Sequence, residues 1–170
     1  MFDRIQHIGY LTPNLESAVA WFERSFGGVN GGGGPLPKGY AVPSGGRNAY
    51  VRFGRVEAEI IEPENKEGLA DGLLTMHHVG YLVSNIEESM ENLKAKGFAF
   101  AGEAPTTNVM GQQVLYFDST TTNGAMMHLT QLPEAPNNTG VGEGLQIDKI
   151  IHAGYLVKDL DAAIAWYVDN

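Results

Sequence analysis

The chain contains no cysteine, which excludes disulfides, thiolate metal sites and cysteine nucleophiles. Positive charge is scarce: 11 lysines and arginines stand against 20 aspartates and glutamates, for a formal net charge of -9. Such a surface repels a polyanion, so no nucleic-acid partner is expected. No apolar run reaches the length of a membrane span, and no basic cluster marks a membrane-surface helix. Met1-Phe2-Asp3-Arg4 lacks the charged-then-apolar profile of a secretory signal, so a cytoplasmic location is expected. With 43% apolar and 18% charged residues over 170 positions, the chain has the composition of a globular protein with a real core rather than a disordered one.

What the chain does have is a repeat. His7-Ile8-Gly9-Tyr10-Leu11-Thr12 recurs as His78-Val79-Gly80-Tyr81-Leu82-Val83 and as His152-Ala153-Gly154-Tyr155-Leu156-Val157, at spacings of roughly 71 and 74 residues, the size of a domain module. Asn14, Asn85 and Asp159 follow the three copies, and apolar residues three and four apart come after each. That pattern predicts a capped helix every time. Gly27 and Gly97 stand where a helix end favours positive φ. Beyond the first helix, Tyr40–Val42, Asn48–Phe53 and Arg55–Ile61 read as strands, the last two as a hairpin turning at Gly54. Phe98–Phe100, Val114–Phe117 and Ala125–Leu129 repeat the order. The glycine- and proline-rich stretch 27–46 reads as a long loop; without a following Gly-Lys-Ser/Thr and a helix it is not a phosphate loop.

The expected architecture is α+β: two tandem βαβββ modules, residues 1–66 and 67–133, forming a cupped mixed sheet. A linker at 134–146, rich in Pro, Asn and Gly, then leads to the first strand and helix of an incomplete third module at 147–170. A lone strand and helix cannot bury their own apolar faces. The tail is therefore expected to pack on another chain, favouring a homodimer, or to begin a longer four-module protein with a second site at His152.

Three of the five histidines, His7, His78 and His152, fall at the same place in the repeat; His77 and His128 are the others. Strand alternation sets His7, Gly9 and Leu11 on one face. It also leaves Glu57 and Glu59 opposite the apolar Val56, Ala58 and Ile60, and it separates His128 from Met127 and Leu129. Each module thus offers a polar group on its first strand and another on its last, and a pseudo-twofold can converge four of them. The alternative is that each histidine is an ordinary hydrogen-bonded residue inherited by duplication.

The segments "HIGYL…NLESAVAWFERSFGG", "VEAEIIEPE", "MHHVGYLVSNIEESMENLKAKGF" and "YFDSTTTNGAMMHLTQLP", in this order over about residues 4–133, resemble the vicinal oxygen chelate superfamily, which includes glyoxalase I and methylmalonyl-CoA epimerase. The resemblance implies a divalent metal between the modules with His7, Glu59, His78 and His128 as ligands. It implies catalytic roles for Glu59 and His128 and substrate-binding roles for Arg47 and Tyr50. His128 stands where the family has a proton-moving glutamate, and the epimerase's other acid/base glutamate aligns with Arg47 or Asn48, so both epimerase carboxylates are missing. Three imidazoles and one carboxylate suit zinc, iron, nickel, cobalt or manganese and leave a divalent site with net positive charge. The expected activity is a metal-dependent lyase or isomerase that stabilises an enediolate of a small oxygenated or thioester substrate, the proton being moved by a hydroxide, by His128 or by Glu57. A non-haem iron dioxygenase and a metal-free antibiotic-binding module of the bleomycin resistance kind are the alternatives. A coenzyme A thioester would need cations at the cup mouth, for which Lys38, Arg47, Arg52 and Arg55 are the candidates.

Overall fold

Asparagine and aspartate side chains start the three long helices. Asn14 Oδ1 accepts from the Ser17 amide at 2.9 Å, Asn85 Oδ1 from Glu88 at 3.1 Å and Asp159 Oδ1 from Ala162 at 2.9 Å. Each bond satisfies an amide that the helix itself leaves without a partner, and each is worth about 1 kcal/mol. The helices are α1 (Leu15–Phe26), α2 (Ile86–Lys94) and α3 (Leu160–Asp169). Gly27 ends α1 at φ 66°, and its amide donates to the Glu23 carbonyl, a close that suits glycine at positive φ.

The computed structural model describes residues 2–30, 40–41, 45–72, 74–133 and 147–169. Its strands are β1 (Arg4–Leu11), β2 (Val29–Asn30), β3 (Tyr40–Ala41), β4 (Gly46–Phe53), β5 (Val56–Pro63), β6 (Thr75–Leu82), β7 (Thr106–Thr107), β8 (Gln113–Tyr116) and β9 (Met127–Gln131). They form one mixed sheet in the order β2-β4-β5-β1-β6-β9-β8-β7, with β3 beside β4. β1 and β6 run antiparallel in the middle, and each pairs in parallel on its outer side with the last long strand of its own repeat, β5 or β9. This is the expected α+β arrangement of two tandem βαβββ units.

One face of the sheet is apolar and carries the helices. Leu15, Val19 and Phe22 of α1 pack with Ala49, Val51, Phe53, Val56, Ala58 and Ile60. Ile86 and Met90 of α2 pack with Leu115, Phe117, Met127 and Leu129. Each such side chain contributes roughly 1.5–3 kcal/mol by leaving water, and together they fix the register, because a one-residue slip would turn this face outward. The opposite face is left to Glu57, Glu59, His128 and their neighbours.

The sequence reading needs correction in two places. Residues 98–100 do not form a strand: Phe100 makes one isolated bridge to Phe117, and the short β7 pairs with β8 instead. Phe98 and Phe100 pack as rings on Phe117, so core packing overrides the ladder. The strand expected at the third repeat is also missing. Residues 147–157 make two isolated bridges, Gly54 with Ile147 and Ile5 with Ile150, and 151–157 have no regular structure. The tail nonetheless lies on its own chain. Ile147 and Ile150 pack on the first core, and Trp166 of α3 stacks edge-on against Phe98 at 5.9 Å between ring centroids. The linker at 134–146 and the stretch 31–39 of the glycine-rich loop lie outside the described residues.

Candidate metal centre

Glu59, His7, His78 and His128 come from β5, β1, β6 and β9, four consecutive strands of the sheet. Neighbouring strands lie about 4.8 Å apart, so four in a flat sheet would spread their side chains over roughly 14 Å. Instead the His7 and His78 Nε2 atoms are 3.0 Å apart and those of His128 and His7 3.1 Å. Glu59 Oε2 lies 3.3 Å from His7 Nε2 and 3.0 Å from His78 Nε2. Convergence of this kind requires a curled sheet with these residues on its concave face.

The repeated glycine makes the approach possible. In the β1–β6 pairing Gly9 lies opposite His78 and Gly80 opposite His7. A Cβ on Gly9 would overlap the His78 imidazole, and one on Gly80 would overlap that of His7. The His-x-Gly spacing thus sets each strand's glycine beneath the other strand's histidine. Gly154 of the third copy meets nothing within 4 Å, and His152 is exposed; this copy has no partner strand and contributes nothing to the centre.

The centre is dry. His7, His78 and His128 are each 2% exposed or less, and the nitrogens of the three gather within 4.8 Å as a potential metal-binding group. His128 Nδ1 lies 3.2 Å from the Leu129 carbonyl and 3.0 Å from Thr130 Oγ1. A carbonyl only accepts, so Nδ1 carries the hydrogen and Nε2 turns a lone pair inward. His78 Nδ1 is 2.9 Å from His77 Nδ1, so it is the other nitrogen, Nε2, that faces the cluster. Acceptors that converge in a buried space need shared protons or a cation among them. Two nitrogens each about 2.1 Å from one divalent ion lie roughly 3.0–3.4 Å apart, so the donor set fits such an ion.

Electrostatics agree. Burial is the largest influence on His128 and drives its pKa well below the ordinary value, helped by His7 and His78. Burial also lowers His78 against the opposing pull of Glu59, and lowers His77 with His78 adding to it. For Glu59, burial pushes upward, but hydrogen bonds to His7 and His78 outweigh it and hold the carboxyl well below its usual range. In the metal-free protein a histidine with a depressed folded pKa lends stability that is present above the unfolded value near 6.5 and lost as pH falls below it. We expect melting followed by circular dichroism to show stability declining below pH 6.5, by up to about 1.4 kcal/mol per pH unit for each histidine still neutral, and a bound divalent ion to oppose the decline. A flat profile from pH 7 to 5 would contradict the burial of these rings.

Not every expected site residue belongs to the centre. Arg47 does not face the cup. It shares the strand parity of Ala49 and Val51, so it points to the helix face, where it meets Glu16 at 2.5 Å and Glu62 at 2.9 Å. Glu62 in turn accepts from the Leu15 amide at 2.8 Å, so Arg47 anchors the start of α1. Tyr50 does face the cup, but its hydroxyl is hydrogen-bonded to Glu59; burial foremost, then that carboxylate, raises its pKa well above normal. Arg52 is paired with Glu57 at 2.6 Å and Arg55 with Asp148 at 3.3 Å, while Lys38 lies outside the described residues. Two residues on this face were given no role from sequence, although Asn48 was one of the two positions aligned with the missing glutamate. Asn48 donates to Glu59 Oε1 at 2.5 Å, while its buried Oδ1 has no partner among the described residues. Tyr116 lies opposite His128 in the β8–β9 pairing as Tyr50 lies opposite Glu59 in β4–β5, and its ring centroid is 4.8 Å from that of His128. That repeated cross-strand tyrosine was the signal available.

Comparison with known proteins agrees with this architecture. The model of the Glyoxalase/Bleomycin resistance protein/Dioxygenase superfamily matches residues 6–116, well over half of the chain. The mitochondrial methylmalonyl-CoA epimerase of Bos taurus is 27% identical over 135 residues, covering 75% of this chain and 74% of its own. The ethylmalonyl-CoA/methylmalonyl-CoA epimerase of Cereibacter sphaeroides is 24% identical over 140 residues, 78% of this chain and 100% of its own. Among solved structures, a Streptomyces coelicolor methylmalonyl-CoA epimerase in complex with 2-nitronate-propionyl-CoA superposes with a TM-score of 0.64 at 17% identity, over 77% of this chain and 98% of that one. Repeat, fold and family model converge: the chain belongs to the glyoxalase/bleomycin resistance protein/dioxygenase superfamily, the vicinal oxygen chelate group.

Proposed function

We propose that this protein is an isomerase or lyase of the glyoxalase type that acts on a small oxygenated or thioester substrate, with His7, Glu59, His78 and His128 around a divalent ion. The observation that carries the reading is the convergence, from three neighbouring strands, of three buried imidazole nitrogens, with Glu59 of the next strand 3.3 Å from His7 and 3.0 Å from His78. A divalent ion bound there supplies a Lewis acid for a substrate oxygen.

The surrounding residues favour one proton carrier over two. Glu57 is tied to Arg52 and Gln6, and Glu59 holds Asn48, Tyr50 and two histidines, so neither carboxylate is a free base. His128 has its Nδ1 hydrogen fixed on the Leu129 carbonyl. Its Nε2, once displaced from the ion by substrate, would take the proton from the carbon next to the substrate carbonyl; the C–H electron pair would move onto the carbonyl oxygen, and the same nitrogen would return the proton on the same face. Tyr116 stays protonated, since burial first and then Glu59 push its phenol up to about 12. It is partly exposed beside His128 and serves as a hydrogen-bond donor to substrate. The epimerase names of the relatives support chemistry at a carbon next to a thioester.

The test combines metal content with hydrogen exchange. Metal-free protein should take up about one zinc or nickel ion per chain, and exchange of substrate α-hydrogen with deuterated water, over a panel of hemithioacetals and acyl thioesters, should depend on that ion. His128→Ala should abolish exchange, and Tyr116→Phe should slow it by about tenfold. A protein that binds no ion, or exchange indifferent to the ion and to His128, would overturn the proposal.

A further inference from the structure

Bulges in the two central strands place an extra residue directly before each cluster histidine. Pairing of β1 with β6 steps from Ile5 opposite Tyr81 to His7 opposite Gly80, which leaves Gln6 over. It also steps from Gly9 opposite His78 to Tyr10 opposite Met76, which leaves His77 over. A bulge breaks the in-and-out alternation and re-aims a side chain. Gln6 thereby contacts His7 Nδ1 through its Oε1, and His77 contacts His78 Nδ1.

Beyond that point the two halves differ. Gln6 is buried, and its Nε2 donates to Glu57 Oε2 at 2.9 Å. Glu57, also buried, accepts at Oε1 from Arg52 Nε at 3.0 Å and Nη2 at 2.6 Å. The matching position beside β9, two residues before His128 as Glu57 is two before Glu59, is Met126, which lies just ahead of the strand and is exposed. The second half therefore has no such chain, and duplication alone does not account for the first.

The sequence of groups admits one assignment of hydrogens. Guanidinium only donates and a carboxylate only accepts, so the Gln6 amide must present its NH2 to Glu57 and its oxygen to His7. A carbonyl oxygen only accepts, so His7 carries a hydrogen on Nδ1, and Nε2, which faces Glu59 and the other imidazoles, is the nitrogen left to take a divalent ion. We propose that Gln6, Glu57 and Arg52 are positioning residues that fix the tautomer and aim of His7, so that its Nε2 lone pair stands ready for a divalent ion. The inference rests on the reading of His7 as a ligand, and it concerns the chain's own hydrogen bonds, which can be observed without turnover.

Two measurements decide it. Imidazole 15N–1H correlation spectra of the metal-free protein should show His7 as the Nδ1–H form, and this should shift to a mixture or to Nε2–H in Gln6→Met and in Glu57→Gln. Zinc affinity, measured by competition with a chromophoric chelator, should fall about 10- to 100-fold in Gln6→Met, the usual cost of losing a partner that orients a metal-bound histidine, and by a smaller factor in Glu57→Gln. An unchanged His7 tautomer together with zinc affinity within threefold of wild type would overturn the positioning role. If Gln6→Met does not fold, Glu57→Gln gives the same two readings and decides alone. Failure of the wild type to bind zinc would be a different result: it would remove the ligand reading itself, and this proposal with it.

Discussion

His78→Ala should leave the protein unable to hold a stoichiometric divalent ion, whereas His77→Ala should still bind one ion per chain. His78 Nε2 lies 3.0 Å from both His7 Nε2 and Glu59 Oε2, so its loss opens the middle of the donor set. His77 reaches the cluster only through His78 Nδ1. Removing an orienting partner costs about 10- to 100-fold in affinity, and loss of a donor itself should exceed that range; elemental analysis after dialysis, with competition titration, measures both. The stability of the metal-free protein should respond in the other direction. An ordinary large-to-alanine change in a core costs about 2–5 kcal/mol, but His78 is a buried polar ring crowded against a carboxylate and two other imidazoles. His78→Ala should therefore cost the metal-free protein less than that range, while the zinc-dependent rise in melting temperature disappears. If His77→Ala loses the ion and His78→Ala keeps it, the register of β6 is misassigned by one residue.

The first-strand histidines and glycines of this centre were legible because duplication wrote them more than once. His7 and His78 recur in register, strand parity offers Glu57, Glu59 and His128, the family resemblance picks Glu59 and His128 from these, and Asn14, Asn85 and Asp159 all cap helices as their sequence context suggests. What escaped depends on events that alternation does not encode. The bulges at Gln6 and His77 turn residues predicted for the other face onto the histidines, so the Arg52–Glu57–Gln6 chain was invisible to a period-2 reading. Arg47 and Asn48 are adjacent and therefore point to opposite faces; choosing between them needed the observed pairing of Asn48 with Ile61 and Tyr50 with Glu59. The third copy misled for a different reason. Its sequence is as strand-like as the others, but the central pair of strands is already formed by β1 and β6, flanked by β5 and β9. His152 finds no position left in the sheet.

Epimerisation of methylmalonyl-CoA by the wild-type protein should be slow, and two carboxylate replacements should raise it. Inverting a carbon by removal and return of a proton requires one group to take the proton from one face and a second to deliver a proton to the other. Here β9 presents His128, whose pKa is driven well down by burial, and β4 presents Asn48, an amide that cannot exchange a proton at neutral pH. A single-face proton transfer survives this arrangement; a two-face exchange does not. In Asn48→Glu the new carboxylate would stand where an amide now lies 2.5 Å from Glu59 Oε1. Two carboxylates that close cannot both ionise, so one retains its proton with a raised pKa, as an acid/base group at neutral pH requires. His128→Glu supplies the second carrier and keeps a donor for the ion. Each correctly placed acid or base is worth about 10²- to 10⁴-fold, so the double variant should epimerise chiral methylmalonyl-CoA at least about 100-fold faster than wild type, followed by loss of optical purity and deuterium uptake at the α-carbon. Either single variant should gain far less, because inversion needs both carriers. Rapid epimerisation by the unmodified protein would mean that a second proton carrier operates in the cup, and the assignment of His128 as the lone one would fall.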